Sequence, residues 1–138
     1  MPVNREFAVL MEDRPGTLGK ICRTLADRGV NILAFQSFPI GGKSIVRFVF
    51  DKPDTARPLL DSERINYTES EVAQVKLPHR PGELARVASR LGEADININY
   101  GYAGLEAESN TPLVFFGVND AAKAAPILDK EAAAAAKR

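Results

Sequence analysis

The sequence has little of what metal, redox or nucleic-acid chemistry requires. Its one cysteine, Cys22, has no second thiol for an internal disulfide, and its one histidine, His79, has no Cys, Asp or Glu cluster nearby. Eighteen basic and eighteen acidic residues cancel, which argues against nucleic acid or an anionic membrane as partner. No apolar run approaches bilayer length and no signal segment opens the chain. We expect a cytoplasmic protein without metal or cofactor.

Motifs for catalysis are also missing. The sequence contains no Ser-His-Asp set, no paired-carboxylate motif and no phosphate-binding loop. We therefore predict no catalytic residues and no enzymatic activity. A small enzyme that uses His79 remains an alternative, because catalytic partners need not be close in sequence.

What the sequence does contain is an internal repeat. Residues 13–18 read Asp-Arg-Pro-Gly-Thr-Leu and residues 79–84 read His-Arg-Pro-Gly-Glu-Leu, an offset of 80 − 14 = 66 positions. The same offset relates Leu25 to Leu91 and Asn31 to Asn97, without a gap. A constant offset that keeps both a turn motif and a hydrophobic period indicates a duplicated structural unit.

Hydrophobic patterns predict the order β-α-β-β-α-β in the first copy. An apolar stripe from Leu18 to Ala26 indicates a helix, for which Pro15 suits the first turn and Gly29 the end. Gly41-Gly42 indicates a hairpin turn, and Pro58 is awkward inside the second helix. The predicted strands are residues 3–12, 31–39, 44–50 and 65–68, and the second helix ends near residue 62.

The second copy follows almost without a linker, and its pattern stops early. We predict strands at residues 72–77, 95–100 and 113–118, a polar loop at 104–111, and a last helix at 121–130 capped by Asn119 or Asp120. The alanines at 132–136 should extend that helix and fray. No fourth strand follows, so the first module or another chain must cover the open sheet edge.

The repeated motifs resemble the signature of the ACT domain, a small regulatory module of many amino-acid-metabolism enzymes. Residues 11–18 and 29–32 carry it in the first copy, and 77–84 and 95–98 in the second. The resemblance covers all but the alanine-rich end. It implies an α+β fold of two tandem ferredoxin-like βαββαβ modules (1–69 and 70–138), with antiparallel sheets and helices on one face, the second module lacking its last strand. It also implies a ligand, usually an amino acid, at the interface between modules.

The chemistry of the motif agrees with a ligand site. The first helical turn has free N–H groups and a positive dipole end that suit a carboxylate, and a side chain in place of Gly16 or Gly82 would block close approach. The Asn31 and Asn97 amides suit a zwitterion, and Asp13 suits an ammonium. His79 stands where Asp13 would be, so the second site should be weaker. The resemblance also implies that Met11 and Leu77 flank the ligand site, where some family members carry a polar group, so these apolar residues argue against a serine-like ligand. The predicted ligand-binding residues are Met11, Asp13, Arg14, Pro15, Gly16, Thr17, Leu18, Asn31, Ile32, His79, Arg80, Pro81, Gly82, Glu83, Leu84, Asn97 and Ile98.

Structural interpretations of the same residues stay open. The Arg-Pro-Gly turn can simply begin a helix, and the side chains of the two asparagines can cap backbone groups at strand starts. Phenylalanines on the third strands, Phe48, Phe50, Phe115 and Phe116, can form a core or stack bases, and the zero net charge favours a core. We predict a homodimeric sensor of an amino-acid-like ligand, with an amino-acid-metabolism enzyme as partner. The alternatives are a non-catalytic subunit that acts by protein contact and a small ferredoxin-like enzyme.

Overall fold

The computed structural model describes residues 2–138, in which six strands and four helices alternate. The chain forms two compact units: Arg5–Ser70, called the first unit below, and Glu71–Arg138 together with residues 2–4, called the second unit. The elements are β1 (Val3–Glu12), α1 (Thr17–Asp27), β2 (Ile32–Ile40), β3 (Lys43–Phe50), α2 (Pro53–Ser62), β4 (Asn66–Lys76), α3 (Glu83–Glu93), β5 (Tyr100–Leu105), β6 (Pro112–Gly117) and α4 (Ala121–Ala136).

In the first unit β3 is the central strand of an antiparallel sheet. Phe48 of β3 lies opposite Phe7 of β1 on one side and opposite Phe35 of β2 on the other. Both helices bury residues in the core that covers one face of this sheet, which agrees with helices on one face. The core residues are Phe7, Val9, Met11, Ile21, Leu25, Val30, Val46, Phe48, Phe50, Ala56 and Leu60.

Two glycines set the ends of α1. Gly16 is the residue before the helix, with φ of 90°, and no side chain caps the helix. Pro15 therefore lies before the helix and not in its first turn, where the sequence predicts it. Gly29, with φ of 72°, ends it: the Gly29 N–H donates to Ala26 O at 2.9 Å and the Val30 N–H to Leu25 O at 3.0 Å. These paired bonds are the usual helix-ending motif for a left-handed residue, and they confirm the predicted stop.

The predicted hairpin is also confirmed, because Gly41 and Gly42 both have positive φ, 54° and 82°, between β2 and β3. Pro58 lies inside α2, although proline has no N–H and cannot donate the helical hydrogen bond at that position. Ala56 and Leu60, on either side of it, are buried in the core. Packing of this face therefore holds the helix across the proline.

In the second unit β6 is the central strand, with Val114 opposite Val75 of β4 and Phe115 opposite Tyr102 of β5. Helices α3 and α4 pack on one core with this sheet. Its residues are Ala73, Val75, Leu77, Val87, Leu91, Ile96, Phe116, Ala124, Leu128 and Ala135. The four phenylalanines Phe48, Phe50, Phe115 and Phe116 are all buried, which confirms the prediction that they serve packing.

Two strand predictions need correction. The strands predicted at 65–68 and 72–77 are one strand, β4, without any linker, and its residues divide between the two units. The strand predicted at 95–100 begins only at Tyr100 and continues into the predicted loop. Pairing with β6 starts at Tyr100 opposite Gly117, because the chain beyond Gly117 turns at Asp120 into α4 and offers no extended partner.

The end of the chain is better packed than its composition suggested. The Asp120 side chain accepts from the Lys123 N–H at 3.0 Å and caps α4 as predicted. The alanine run extends this helix, but Ala135 is buried in the core of the second unit, so the predicted fraying is wrong. No helix among residues 2–138 is long and apolar enough to cross a membrane.

Residues 2–4 lie against the sheet edge that the missing fourth strand leaves in the second unit. The Gln74 N–H of β4 donates to Pro2 O at 2.8 Å, and the Asn4 amide donates to the Gln74 side chain at 3.1 Å. No strand follows α4 in the described chain. The beginning of β1 thus supplies the edge contact that the sequence left open.

Candidate functional site

The Arg-Pro-Gly turn of the first unit opens into a cleft of about 870 Å³. The turn after β1 and the first turns of α1 form one wall, and the segment after α2 forms another. Of the predicted residues, the structure brings Met11, Arg14, Pro15, Gly16 and Thr17 to this cleft. The remaining lining residues are Leu10, Glu12, Lys20, Ile21, Thr24, Lys43, Glu63, Arg64, Ile65 and Asn66.

The beginning of α1 is open at this cleft. No side chain caps the helix, and a Cβ built on Gly16 would have no neighbouring atom within 4 Å. Glycine is favoured here by its positive φ and not by a close protein contact. The uncapped N–H groups and the positive end of the helix dipole form an electrostatic environment that favours an anion.

The charged side chains around the cleft are mostly basic. Lys43 pairs with Glu12 at 2.5 Å, and this hydrogen bond holds the pKa of Glu12 below its ordinary value. Arg14, Lys20 and Arg64 also line the cleft, and across residues 2–138 their side chains form no hydrogen bond or ion pair. The cleft therefore presents three cations that are not held by a hydrogen bond or ion pair, although the charge of Arg14 also helps to lower the pKa of Glu12.

Four predicted residues of the first copy do not line the cleft. Asp13 accepts a hydrogen bond from the Ser44 hydroxyl at 3.2 Å, and Leu18 and Ile32 pack against the core. The Asn31 N–H donates to the Asp51 carboxylate at 2.8 Å, and the Asp51 N–H donates to Asn31 O at 3.0 Å. These bonds hold the beginning of β2 through the backbone of Asn31 and not through its side-chain amide, to which the structural interpretation assigned the capping role.

The second Arg-Pro-Gly turn contains its own anion. Glu83, the first residue of α3, is only 2% exposed. Its carboxylate accepts from Arg138 Nη2 at 2.6 Å, from Arg86 Nη1 at 3.2 Å, and from Arg80, whose Nε lies at 2.9 Å and whose Nη2 also donates. Hydrogen bonds from Arg138 and then Arg80 lower the pKa of Glu83 to about 2, so the group is ionised at neutral pH.

Arg80 also ties this turn to the end of α4. It donates from Nη1 to Arg138 O at 3.2 Å and from Nη2 to Ala135 O at 3.3 Å. The carbonyl oxygens at a helix C-terminus carry partial negative charge, so they suit a guanidinium. A Cβ on Gly82 would lie 3.6 Å from Arg86 Nη1, whereas Gly16 faces open space. The second turn is therefore filled by protein side chains, whereas the space beside the first turn is open.

Sequence reasoning missed Arg86 and Arg138 at the second turn, as it missed Lys20, Glu63 and Arg64 at the cleft. Arg86 could have been found, since it lies three residues after Glu83 on a helix, where side chains meet. Arg138 lies 55 residues away in the chain, and only the fold brings it to Glu83.

The other predicted residues of the second copy do not gather around a cleft. His79, Pro81 and Leu84 are exposed, and Ile98 packs on the core of the second unit. The Asn97 amide donates to Asn99 Oδ1 at 2.9 Å. Two cavities of about 350 Å³ in this unit are lined by other residues and do not include 79–84.

Metal and thiol chemistry find no support in the described chain. Within residues 2–138 no three His, Cys, Asp or Glu side chains come together as metal ligands. Cys22 is half-buried against the core of the first unit, and burial raises the pKa of its thiol. It packs as a small apolar residue, in line with the prediction.

Comparison with known protein families gives a match for most of the first unit. Residues 6–67 match the ACT domain family. No curated protein sequence matches the chain significantly. Among solved structures, the protein BT0572 of Bacteroides thetaiotaomicron is similar with a TM-score of 0.81 and 23% identity over 94% of this chain and 89% of that one.

Two further structures of similar fold come from aspartate kinases. The ligand-free regulatory subunit of aspartate kinase from Thermus thermophilus has a TM-score of 0.61 and 18% identity, over 94% of this chain and 92% of that one. Aspartokinase III of E. coli in complex with lysine and aspartate has a TM-score of 0.56 and 16% identity, over 96% of this chain and 31% of that one. At these identities the likeness concerns the fold alone.

Proposed function

We propose that this protein is a non-catalytic regulatory protein that binds a small amino-acid-like ligand in the cleft beside α1. One observation carries the proposal: the cleft joins an uncapped helix start, the Arg-Pro-Gly turn and three cations without a hydrogen bond or ion pair, within the ACT-matching residues 6–67. The second unit, whose motif repeats the first, is proposed to be a second ACT-like module in tandem. Its turn is occupied by Glu83, so we assign one ligand site to each chain.

The lining of the cleft suits both ends of an amino acid. The helix start and the cations Arg14, Lys20 and Arg64 favour the carboxylate. Glu63, exposed at the same cleft, offers an acceptor for the ammonium in place of the predicted Asp13, which bonds Ser44. The aspartokinase in complex with lysine and aspartate is an example of amino-acid binding in a protein that has a similar fold in 31% of its chain. The position of the ligand at an interface between modules stays a prediction.

Regulation would follow from a difference in ligand affinity between two states of the protein. A ligand shifts a conformational or assembly equilibrium only as far as it binds one state better. We propose that the protein acts as a homodimer and that an enzyme of amino-acid metabolism senses the shift. The regulatory subunit of aspartate kinase with a similar fold is a precedent for such a partner.

The first experiment is a thermal-shift screen of the purified protein against the twenty amino acids. A ligand at about 100 times its dissociation constant adds about 2.7 kcal/mol of stability. For a chain of this size that stabilisation raises Tm by about 5 to 10 °C. One amino acid that clearly raises Tm would support the sensor function and would indicate the metabolic pathway in which to look for the partner enzyme. A screen in which no amino acid raises Tm would contradict the sensor function.

Two substitutions locate the site. Arg14→Ala removes a cleft cation and should weaken binding at least tenfold, whereas Arg23→Ala removes an exposed arginine of α1 outside the cleft and should leave binding unchanged. Asn31→Ala tests the motif position at the start of β2. Loss of binding in Asn31→Ala but not in Arg14→Ala would move the ligand from the cleft to that strand.

A second candidate function rests on an apolar surface of the first unit. Leu10 of β1 and Phe38 of β2 both lie opposite Ile45 of β3, and they are 44% and 57% exposed. Ile40, two residues further along β2, is 52% exposed. Such a row favours a subunit that acts by protein contact. Phe38→Ser should then abolish co-purification of an enzyme in native extracts while the amino-acid screen stays flat.

A further inference from the structure

The two copies of the motif differ at Asp13/His79 and at Thr17/Glu83, and the second difference decides whether the turn is occupied. At the repeat offset Arg14 corresponds to Arg80, Lys20 to Arg86, and Thr17 to Glu83. Both copies therefore keep the two cations, but only the second has the carboxylate that these cations hold. The second copy shows what this turn binds when it is occupied: a carboxylate at the start of the helix, within 3.2 Å of Arg80, Arg86 and Arg138.

The third cation has a counterpart as well, although no constant offset reveals it. Arg138 is the second residue after α4, directly beyond the residue that ends that helix. Arg64 occupies the same place after α2, directly beyond Glu63. Arg138 donates to Glu83 in the second unit, and Arg64 lines the cleft in the first. Three basic positions thus occur in both units, whereas the carboxylate occurs in the second unit only.

We propose that the cleft of the first unit binds a small-molecule carboxylate of net negative charge, such as a dicarboxylate or an acidic amino acid, at the place that Thr17 leaves open. Arg14, Lys20 and Arg64 hold it as the three arginines hold Glu83. The inference rests on the proposed function, since it concerns the same cleft, and it adds the ligand class.

The charge of the cleft supports a ligand with more negative than positive groups. Four cationic side chains, those of Arg14, Lys20, Lys43 and Arg64, line it with only two acidic ones, those of Glu12 and Glu63. A neutral zwitterion leaves this excess of positive charge unbalanced, whereas a second carboxylate reduces it. Because the cations are exposed, their attraction is screened by salt. The affinity should therefore fall as ionic strength rises.

The test compares probes that differ by one charge and little in shape. Binding of L-glutamate and L-glutamine, and of succinate and its monoamide succinamate, is measured by calorimetry at equal ionic strength. The acids are expected to bind at least tenfold more tightly than their amides. Equal binding within each pair overturns the inference.

Thr17→Glu places a carboxylate where the second copy has one. It is expected to occupy the cleft from within and to weaken binding of the acids at least tenfold. Ala26→Glu is the matched control, because it adds the same charge to an exposed position of α1 that does not line the cleft. If Thr17→Glu binds as the unchanged protein does, the correspondence between Thr17 and Glu83 is refuted.

The reverse change should transfer the site. Glu83→Thr vacates the second turn, so the double variant Thr17→Glu, Glu83→Thr is expected to regain binding of succinate. Circular dichroism checks that the double variant folds. If the double variant does not fold, binding of the acids by the single variant Thr17→Glu tests the inference. A folded double variant that fails to bind contradicts the inference.

The outcomes separate the two proposals. If neutral amino acids bind as tightly as L-glutamate and Thr17→Glu has no effect, the sensor stands and the ligand class fails. If succinate binds but none of the twenty amino acids does, the carboxylate site stands and the amino-acid sensor fails. If no probe binds, both fail.

Discussion

The repeated helix ends provide a stringent stability prediction, because the two copies use different residues for the same backbone conformation. Gly29→Ala places a Cβ on a residue with φ of 72°. That Cβ would meet only Lys52 Nζ, at 3.8 Å, so no packing conflict adds to the backbone cost. The left-handed conformation costs a residue with a Cβ about 1 to 2 kcal/mol. Reduced freedom of the unfolded chain returns about 0.4 to 1 kcal/mol. We expect a net loss of about 1 kcal/mol.

Asp95 allows the opposite experiment at the corresponding position. It ends α3 with φ of 61°, its N–H donates to Gly92 O at 2.9 Å, and the Ile96 N–H donates to Leu91 O at 2.9 Å. Asp95→Gly relieves the strain and keeps both bonds. Since Asp tolerates this conformation better than Ala does, we expect a smaller effect, a gain of about 0.5 kcal/mol.

Urea denaturation measures both free energies, with the slope against denaturant as a check that the unfolded state is unchanged. Gly92→Ala serves as control, because Gly92 lies in α3 with open space around its Cα and should gain up to about 1 kcal/mol from helix propensity. A Gly29→Ala protein as stable as the parent, or an Asp95→Gly protein less stable than it, would refute the assignment of these turns.

Three further predictions concern packing and pH. A Cβ on Gly117 would lie 2.1 Å from the Tyr100 ring, so Gly117→Ala should cost about 1 to 3 kcal/mol in urea denaturation and much less in a Tyr100→Ala background. Leu91→Ala empties a fully buried position and should cost about 2 to 5 kcal/mol, and a loss below 1 kcal/mol would contradict the core described above. Hydrogen bonds from Arg57 lower the pKa of Glu69 from 4.5 to about 2, so its stabilising effect is complete above about pH 4.5 and is lost as pH falls towards 2. Glu69→Gln should flatten the decline of unfolding free energy in that pH window, and an unchanged decline would exclude this pair as a cause.

Much of the fold follows from local sequence. The stripe from Leu18 to Ala26 predicted α1, Gly29 its end, and Gly41-Gly42 the hairpin, and each is where it was expected. These features are local because hydrogen bonds between near neighbours and the conformational freedom of glycine decide them. The same holds for Asp120, which caps α4 with its own side chain.

The errors in the strands lie where a strand depends on its partner. Alternation in residues 95–100 predicted a strand there, but β5 begins at Tyr100, opposite Gly117 of β6. Which residues of an extended segment pair is settled by the neighbouring strand and not by the segment itself. For the same reason the sequence did not show that residues 2–4 would lie beside Gln74.

The candidate site divides in the same way. By itself the sequence determined that an Arg-Pro-Gly turn occurs twice before a helix, because a turn and its following helix are encoded by contiguous residues. Only the tertiary structure decided that one turn opens into a cleft and the other is closed by Glu83 and Arg138. That difference depends on where the ends of α2 and α4 lie relative to the two turns within their own units. Packing between residues far apart in the chain, such as Glu83 and Arg138 with a separation of 55, sets those positions.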